Sequence, residues 1–231
     1  MPFDGKFEIL QFDVTCMMFE FMLFLYSLAA ILLSYLIGSL SFAVVISRVM
    51  GLNDPRTYGS KNPGATNVLR SGNKLAAVLT LLLDVVKGWL PVYLVQLFGS
   101  AHGLGPVTVA AVALAAFLGH LWPVFFKFKG GKGVATAAGV LFGVDPFLGL
   151  ATMATWIIIV YFFRYSSLAA LASAVFAPIY YLMGHRVAWY AENMIALSLV
   201  IMCILLVIRH KENIIRLLAG EESKIASKKE A

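Results

Sequence analysis

Charge is what this chain lacks most. Lys, Arg, Asp and Glu make up only 13% of its 231 residues, while hydrophobic residues make up 61%. A soluble domain carries roughly 25% charged residues, so a water-exposed surface cannot be built from this composition and lipid must cover part of the molecule. Cysteine is almost absent. Cys16 and Cys203 are its two cysteines, and both lie at or within apolar runs. That excludes a disulfide framework and a Cys-based metal cluster. No metal and no cofactor are expected. The roughly ten-residue alternation of polar and apolar side chains that marks a transmembrane barrel strand is also missing. The apolar runs are continuous and close to the roughly 20 residues that a spanning helix needs. The expected fold class is therefore all-α and polytopic.

Seven candidate spans emerge between polar breaks, at about 20–47, 75–98, 106–126, 134–144, 147–163, 167–184 and 192–209. The fourth is short for a full crossing, and with the fifth it could instead form a re-entrant pair. Seven spans put fifteen of the eighteen Lys and Arg residues on one side, Lys6 and Arg186 on the other, and Lys87 inside a span. The positive-inside rule then makes the rich side cytoplasmic, with the N-terminus outside and the C-terminus inside. The net charge of +6 is accounted for by this anchoring and by attraction to anionic lipid, with a phosphorylated substrate as the further demand. No nucleic acid is implied. A basic start typical of a cleaved signal is lacking too, so the first apolar run reads as a retained helix. Residues 1–19 read as an extracytoplasmic extension, 20–222 as one transmembrane domain, and 223–231 as a polar tail that frays.

Three segments on the basic side differ from ordinary polar filler. The first runs from Gly38-Ser39 to Arg48. Nine residues turn a helix through about 900°, so Ser39 and Arg48 share a site only if the helix bends or breaks between them or a loop folds back. The second is Gly59-Ser60-Lys61-Asn62-Pro63-Gly64-Ala65-Thr66-Asn67. It is too rich in turn formers for a helix, and its backbone amides suit an anion-binding nest. Gly59, Ser60, Lys61, Asn62, Gly64, Thr66 and Asn67 are its candidate ligands for a small phosphorylated alcohol. The third precedes the fourth span and holds Lys129, Gly130, Gly131, Lys132, Gly133 and Thr136. A helix start with glycine amides and lysines favours phosphate. It is not the nucleotide-binding loop G-x-x-x-x-G-K-[ST], because Phe126 and Gly133 stand where that pattern requires Gly and Ser or Thr.

Asp84 and Lys87 lie one turn apart inside the second span, roughly 14 Å deep at 1.5 Å per residue. Charges at that depth pair or line a polar cavity. Arg209, His210, Asn213, Arg216 and Glu222 leave the last span on the basic side.

The stretches G-S-K-N-P-G-A-T-N, D-V-V-K-G, K-G-G-K-G-V-A-T and R-H-x-x-N-I-x-R-L-L-x-G-x-E together resemble the motifs of the bacterial membrane acyl-phosphate:glycerol-3-phosphate acyltransferases, the PlsY family. The resemblance runs from Gly38 to Glu222. It implies seven transmembrane helices in the cytoplasmic membrane, with the active site facing the cytoplasm. It implies acyl transfer from acyl phosphate to the 1-hydroxyl of sn-glycerol 3-phosphate, giving lysophosphatidic acid and phosphate, the first acylation of phospholipid synthesis. It makes Ser39 and Arg48 essential, assigns glycerol 3-phosphate to the Gly59–Asn67 loop, gives His210 and Asn213 a part in activity, and gives Glu222 a part in integrity. Acyl phosphate, glycerol 3-phosphate and membrane lipid are the expected partners, with no protein partner required. None of the four histidines is followed five positions later by Asp, the signature of the thioester-using acyltransferases. The competing reading is a small-solute or anion transporter, which predicts polar groups spread through both leaflets.

Overall fold

The computed structural model describes residues 4–225, with side chains from Val14 onward. Among these residues the fold is a bundle of α-helices without a named strand. Helix α1 (Asp4–Gly38) and the short α2 (Phe42–Val49) are followed by a loop and a single turn, α3 (Ala65–Leu69). Then come α4 (Lys74–Phe98), α5 (Pro106–Leu121), α6 (Val134–Val144), α7 (Pro146–Phe163), α8 (Ser166–Met183), α9 (Asn193–Arg209) and α10 (Lys211–Leu218).

Local chemistry sets several of these boundaries. Asn73 caps α4 by accepting from the Ala76 amide at 3.0 Å. Asp145 ends α6 and caps α7, accepting from the amides of Phe147 and Leu148, and Pro146 occupies the first turn where no amide partner is needed. Between α9 and α10 the chain bends by 60°.

Five helices are long and apolar enough to cross a bilayer, with the stretch Val14–Gly38 serving for α1, and α9 continued by α10 makes a sixth. The segment expected as the fourth span, α6, has 11 residues. It rises about 16 Å, roughly half the hydrocarbon thickness. It is a short buried helix held against α4 by close backbone packing. A Cβ on Gly139 would clash with the Val85 carbonyl, and one on Gly88 with the Thr136 carbonyl. Small residues let membrane helices approach in this way. The core lies where α4, α5, α6 and α9 meet, around Val92, Phe117, Leu121, Val140 and Leu206. Exposed Leu, Phe, Ile and Met side chains cover the outer faces of α1, α4, α7 and α8, as lipid-facing helices require.

Two expectations need correction. The first span does not run as one helix over 20–47. It stops at Gly38, and α2 starts afresh at Phe42. The tail is also not free from Ser223 onward. The Ile225 amide donates to the Arg164 carbonyl at 2.7 Å, and the Lys224 ammonium sits over the Tyr165 ring. These contacts fold the segment back on the α7–α8 corner. Residues 226–231 lie outside the described part of the chain, as do residues 1–3 at the other end.

Candidate active site

The three polar segments meet at one end of the bundle. Pro63, in the first glycine loop, brings its carbonyl to 3.1 Å from where a Cβ on Gly131 would stand, and the same Cβ would clash with His120 Nε2, so the second loop accepts only glycine there. Arg56 lies over the Phe126 ring at 5.9 Å, joining the same two loops at a second point. Arg209, at the end of α9, donates from Nε to the Gly131 carbonyl at 3.0 Å and from Nη2 to the carbonyls of Gly130 and Gly131 at 2.8 Å. This fork fixes the loop backbone just before α6. Gly133 adopts φ 85°, in the left-handed region that glycine tolerates, and caps α6 without a side-chain bond. The first amides of α6 are therefore not taken up by a capping side chain.

Beside this helix start stands Lys132. Its ammonium donates to the amide oxygen of Asn213. The Asn213 amide nitrogen donates to Glu222 Oε1 at 2.7 Å, as does the Ser167 hydroxyl, and Arg216 Nε donates to Glu222 Oε2 at 2.8 Å. One carboxylate thus gathers α8, α10 and the segment after α10, and turns the Asn213 oxygen toward Lys132. Burial pushes the Glu222 carboxyl up, yet the hydrogen bonds from Ser167, Asn213 and Arg216 outweigh it and hold the group below the ordinary 4.5. Burial pushes the Lys132 ammonium down to about 8, a fall that the Glu222 charge resists.

His210 sits at the bend between α9 and α10 and is buried. Its Nδ1 lies 2.8 Å from the Leu206 carbonyl. A carbonyl only accepts, so Nδ1 carries the proton and Nε2 is the nitrogen able to take one up.

In the Gly59–Asn67 loop several backbone amides are bonded within the loop itself. The Ser60 amide donates to Asn67 Oδ1 at 3.0 Å, the Lys61 amide to the Tyr58 carbonyl, and the Gly64 amide to the Asn62 carbonyl. The buried Asn67 spends its remaining donors on the carbonyls of Pro55 and Tyr58. The Ser60, Lys61 and Gly64 amides are therefore taken up by the loop and the adjoining Tyr58. Ser60, Lys61 and Thr66 are exposed and Asn62 is half-buried. Gly59 and Lys61 both take positive φ, which bends the loop sharply.

The chain does break between Ser39 and Arg48, as sharing a site demands. Ser39 is fully buried, and its hydroxyl donates to the Tyr35 carbonyl at 2.8 Å. Arg48 is exposed on α2, where its charge acts on Asp54, a carboxyl already held below its ordinary 3.8 chiefly by the hydrogen bond from Arg56. Among the described residues no hydrogen bond joins Ser39 to Arg48. Lys129 is exposed, whereas Thr136 is buried and shares a hydrogen bond with His120 Nδ1 at 3.1 Å. Asp84 and Lys87 form a buried ion pair at 2.8 Å.

Two participants carry no motif signal in the sequence. Ser167 reads as an ordinary residue in the first turn of a helix. His120 reads as the end of an apolar run, and only the packing of α4, α5 and α6 shows it facing Asp84 and Thr136.

Comparison with known proteins bears on this geometry. The family model described as glycerol-3-phosphate acyltransferase matches residues 28–220. The glycerol-3-phosphate acyltransferase of Albidiferax ferrireducens is 63% identical over 203 residues, covering 88% of this chain and 91% of that protein. Its namesake from Bordetella petrii is 64% identical over 203 residues, covering 88% and 95%. The crystal structure of PlsY (YgiH), an integral membrane glycerol 3-phosphate acyltransferase, in its glycerol 3-phosphate form, superimposes with a TM-score of 0.80 at 36% identity, over 87% of this chain and 96% of that one. The lysophosphatidic acid form of the same protein gives 0.78 at 35%. With most of its length matched by that family model and by close relatives of the same name, this multi-pass membrane chain belongs to the glycerol-3-phosphate acyltransferase family.

Proposed function

We propose that the chain transfers a fatty acyl group from acyl phosphate to the 1-hydroxyl of sn-glycerol 3-phosphate, at the cytoplasmic face of a bacterial inner membrane. The observation that carries this reading is the convergence of Lys132, the α6 helix start and the Asn213–Glu222 pair with the Gly59–Asn67 loop at one end of the bundle. Both substrates bear phosphate, and two anions must be held close against their repulsion. Lysine charge and uncapped amides screen that repulsion, and holding the partners together lowers the barrier. The exposed Ser60, Lys61 and Thr66 suit a small polar acceptor approaching from water. The apolar faces of the surrounding helices suit a long acyl chain.

In the reaction the acceptor hydroxyl oxygen attacks the acyl carbonyl carbon, and the tetrahedral intermediate collapses by breaking the bond between the acyl carbon and the phosphate oxygen. The hydroxyl proton leaves on the departing phosphate, so the donor itself serves as base. His210 holds the α9–α10 bend through Leu206, and Asn213 orients Lys132. Supporting this division is the absence, among the described residues, of a carboxylate bonded to the His210 ring, as a Ser-His-Asp set would need. A His210→Gln variant that keeps most of its turnover is the expected outcome; loss of turnover with unchanged glycerol 3-phosphate binding makes His210 the base instead.

The orientation follows the same charge argument. Seven traverses, with α6 and its continuation into α7 counted as two, leave the basic end facing the cytoplasm. The reading as a whole is tested with purified protein, acyl phosphate and glycerol 3-phosphate. Phosphate release that requires both substrates is expected. A transporter would release none.

A further inference from the structure

A buried polar cluster lies beneath the site and touches none of the exposed groups described above. At its centre is Asp84 on α4. Its Oδ1 pairs with Lys87 Nζ at 2.8 Å and lies 3.8 Å from His120 Nδ1 on α5. Each of the three side chains is less than a tenth exposed. Charged residues at this depth inside a spanning helix are costly, and bare helix packing does not require them.

The two arms of the cluster end on the two polar segments nearest the site. Lys87 Nζ donates to the Leu40 carbonyl at 2.6 Å. Leu40 lies in the break between α1 and α2, next to Ser39, where backbone carbonyls have left the helix ladder. The ammonium also sits at the C-terminal end of α1, the end a cation favours, and 5.7 Å from the centre of the Phe42 ring, which opens α2. The opposite side of the break is pressed onto α5. A Cβ on Gly119 would stand 2.8 Å from Ser39 N, and one on Gly38 would clash with the Ala116 carbonyl. The second arm is His120. Its ring meets Thr136 in the first turn of α6, and its own carbonyl accepts the Gly131 amide at 3.1 Å.

We propose that Lys87 is a positioning residue for acyl transfer: by holding the Leu40 carbonyl it fixes the Ser39 break, and through Asp84 and His120 it locks that break in register with the glycine loop that opens α6. The pair thus helps set the distance between two parts of the site far apart in sequence, alongside the packing of Gly119 on the break and the bond from the Gly131 amide to the His120 carbonyl. This rests on the acyltransferase reading for its kinetic consequence and on geometry alone for its structural one.

The test uses the full-length protein in detergent or vesicles. The double variant Asp84→Leu/Lys87→Met replaces the ion pair with apolar side chains, a change that often leaves stability intact. Its expected signature is thermal stability near wild type, turnover lowered on the order of tenfold to a hundredfold, and KM for glycerol 3-phosphate within about twofold, as displaced reacting groups produce. Lys87→Arg, which keeps both charge and donor, regains most of that turnover. Hydrogen exchange supplies a readout that does not depend on activity: amides of residues 38–42 and 130–134 exchange faster in the double variant, while those of α7 and α8 do not. If the double variant fails to fold, the same exchange measurement is made on Lys87→Met alone. Turnover per folded molecule within twofold of wild type overturns the proposal, and so does faster exchange spread evenly over the bundle. Wild-type protein that releases no phosphate defeats the acyltransferase reading, while the exchange pattern still decides whether Lys87 holds the break.

Discussion

The two ends of the bundle spend their polar groups in different ways. At the end opposite the site, side chains mostly close helix termini, with Ser27 and Thr108 bonded to one another beside them. Asp145 caps α7, Gln96 donates to the carbonyls of Gly143 and Val144, Trp189 Nε1 donates to the Tyr181 carbonyl, and the Tyr181 hydroxyl accepts from the Glu192 amide. Each bond answers a backbone group that membrane burial would otherwise leave unpaired. At the site end, side chains bond one another. Lys132, Asn213, Glu222, Ser167 and Arg216 form one connected set, and Arg209 shapes a loop whose helix start has no side-chain cap. The surplus of polar groups over what the backbone needs is what separates a binding end from a closing end.

The sharpest way to break that contrast is to remove the site's half-buried cation. Lys132→Met should lower kcat/KM for glycerol 3-phosphate by about 10²–10³, the scale for removing an electrostatic group that stabilises developing charge, measured by phosphate release. Glu222→Gln comes next. It frees Asn213 from its orienting partner and leaves Arg216 without a counter-charge, so turnover should fall about tenfold and stability by about 1–3 kcal/mol, read by assay and thermal melt. The pH profile gives a third test. Lys132 titrates near 8 and is charged below that value, so kcat/KM should fall as pH rises through about 8. That limb should be missing from Lys132→Met. Smallest is the control at the other end. Asp145→Ala should cost about 1 kcal/mol through loss of the α7 cap, lowering the melting temperature by a few degrees while turnover stays unchanged.

Much of this was legible in the sequence because the lipid solvent imposes simple rules. Long apolar runs between polar breaks gave α4, α7, α8 and α9 to within a residue at each end and α5 at its start, although the run to 126 passes the end of α5 at Leu121, and the glycine- and lysine-rich segments marked the site end. The break after Gly38 was legible only as a condition, since Gly and Ser also occur in packed membrane helices. Ser167 and His120 were not legible at all, because their roles depend on which helix faces them. That the Ser60, Lys61 and Gly64 amides bond within the loop and to Tyr58 beside it was hidden for the same reason: a string of turn formers shows that the chain bends and leaves open which way the amides point.

By itself the sequence determined that the chain crosses a membrane as helices and which of its ends gathers cations, because hydrocarbon tolerates no unpaired backbone and the surrounding charge is read locally, residue by residue. Tertiary structure alone decided that Lys132 meets Asn213, that Glu222 collects three partners, and that Lys87 reaches Leu40. The Lys132–Asn213, Ser167–Glu222 and Lys87–Leu40 contacts join positions 81, 55 and 47 residues apart, and only the packing of the helices brings them within bonding distance.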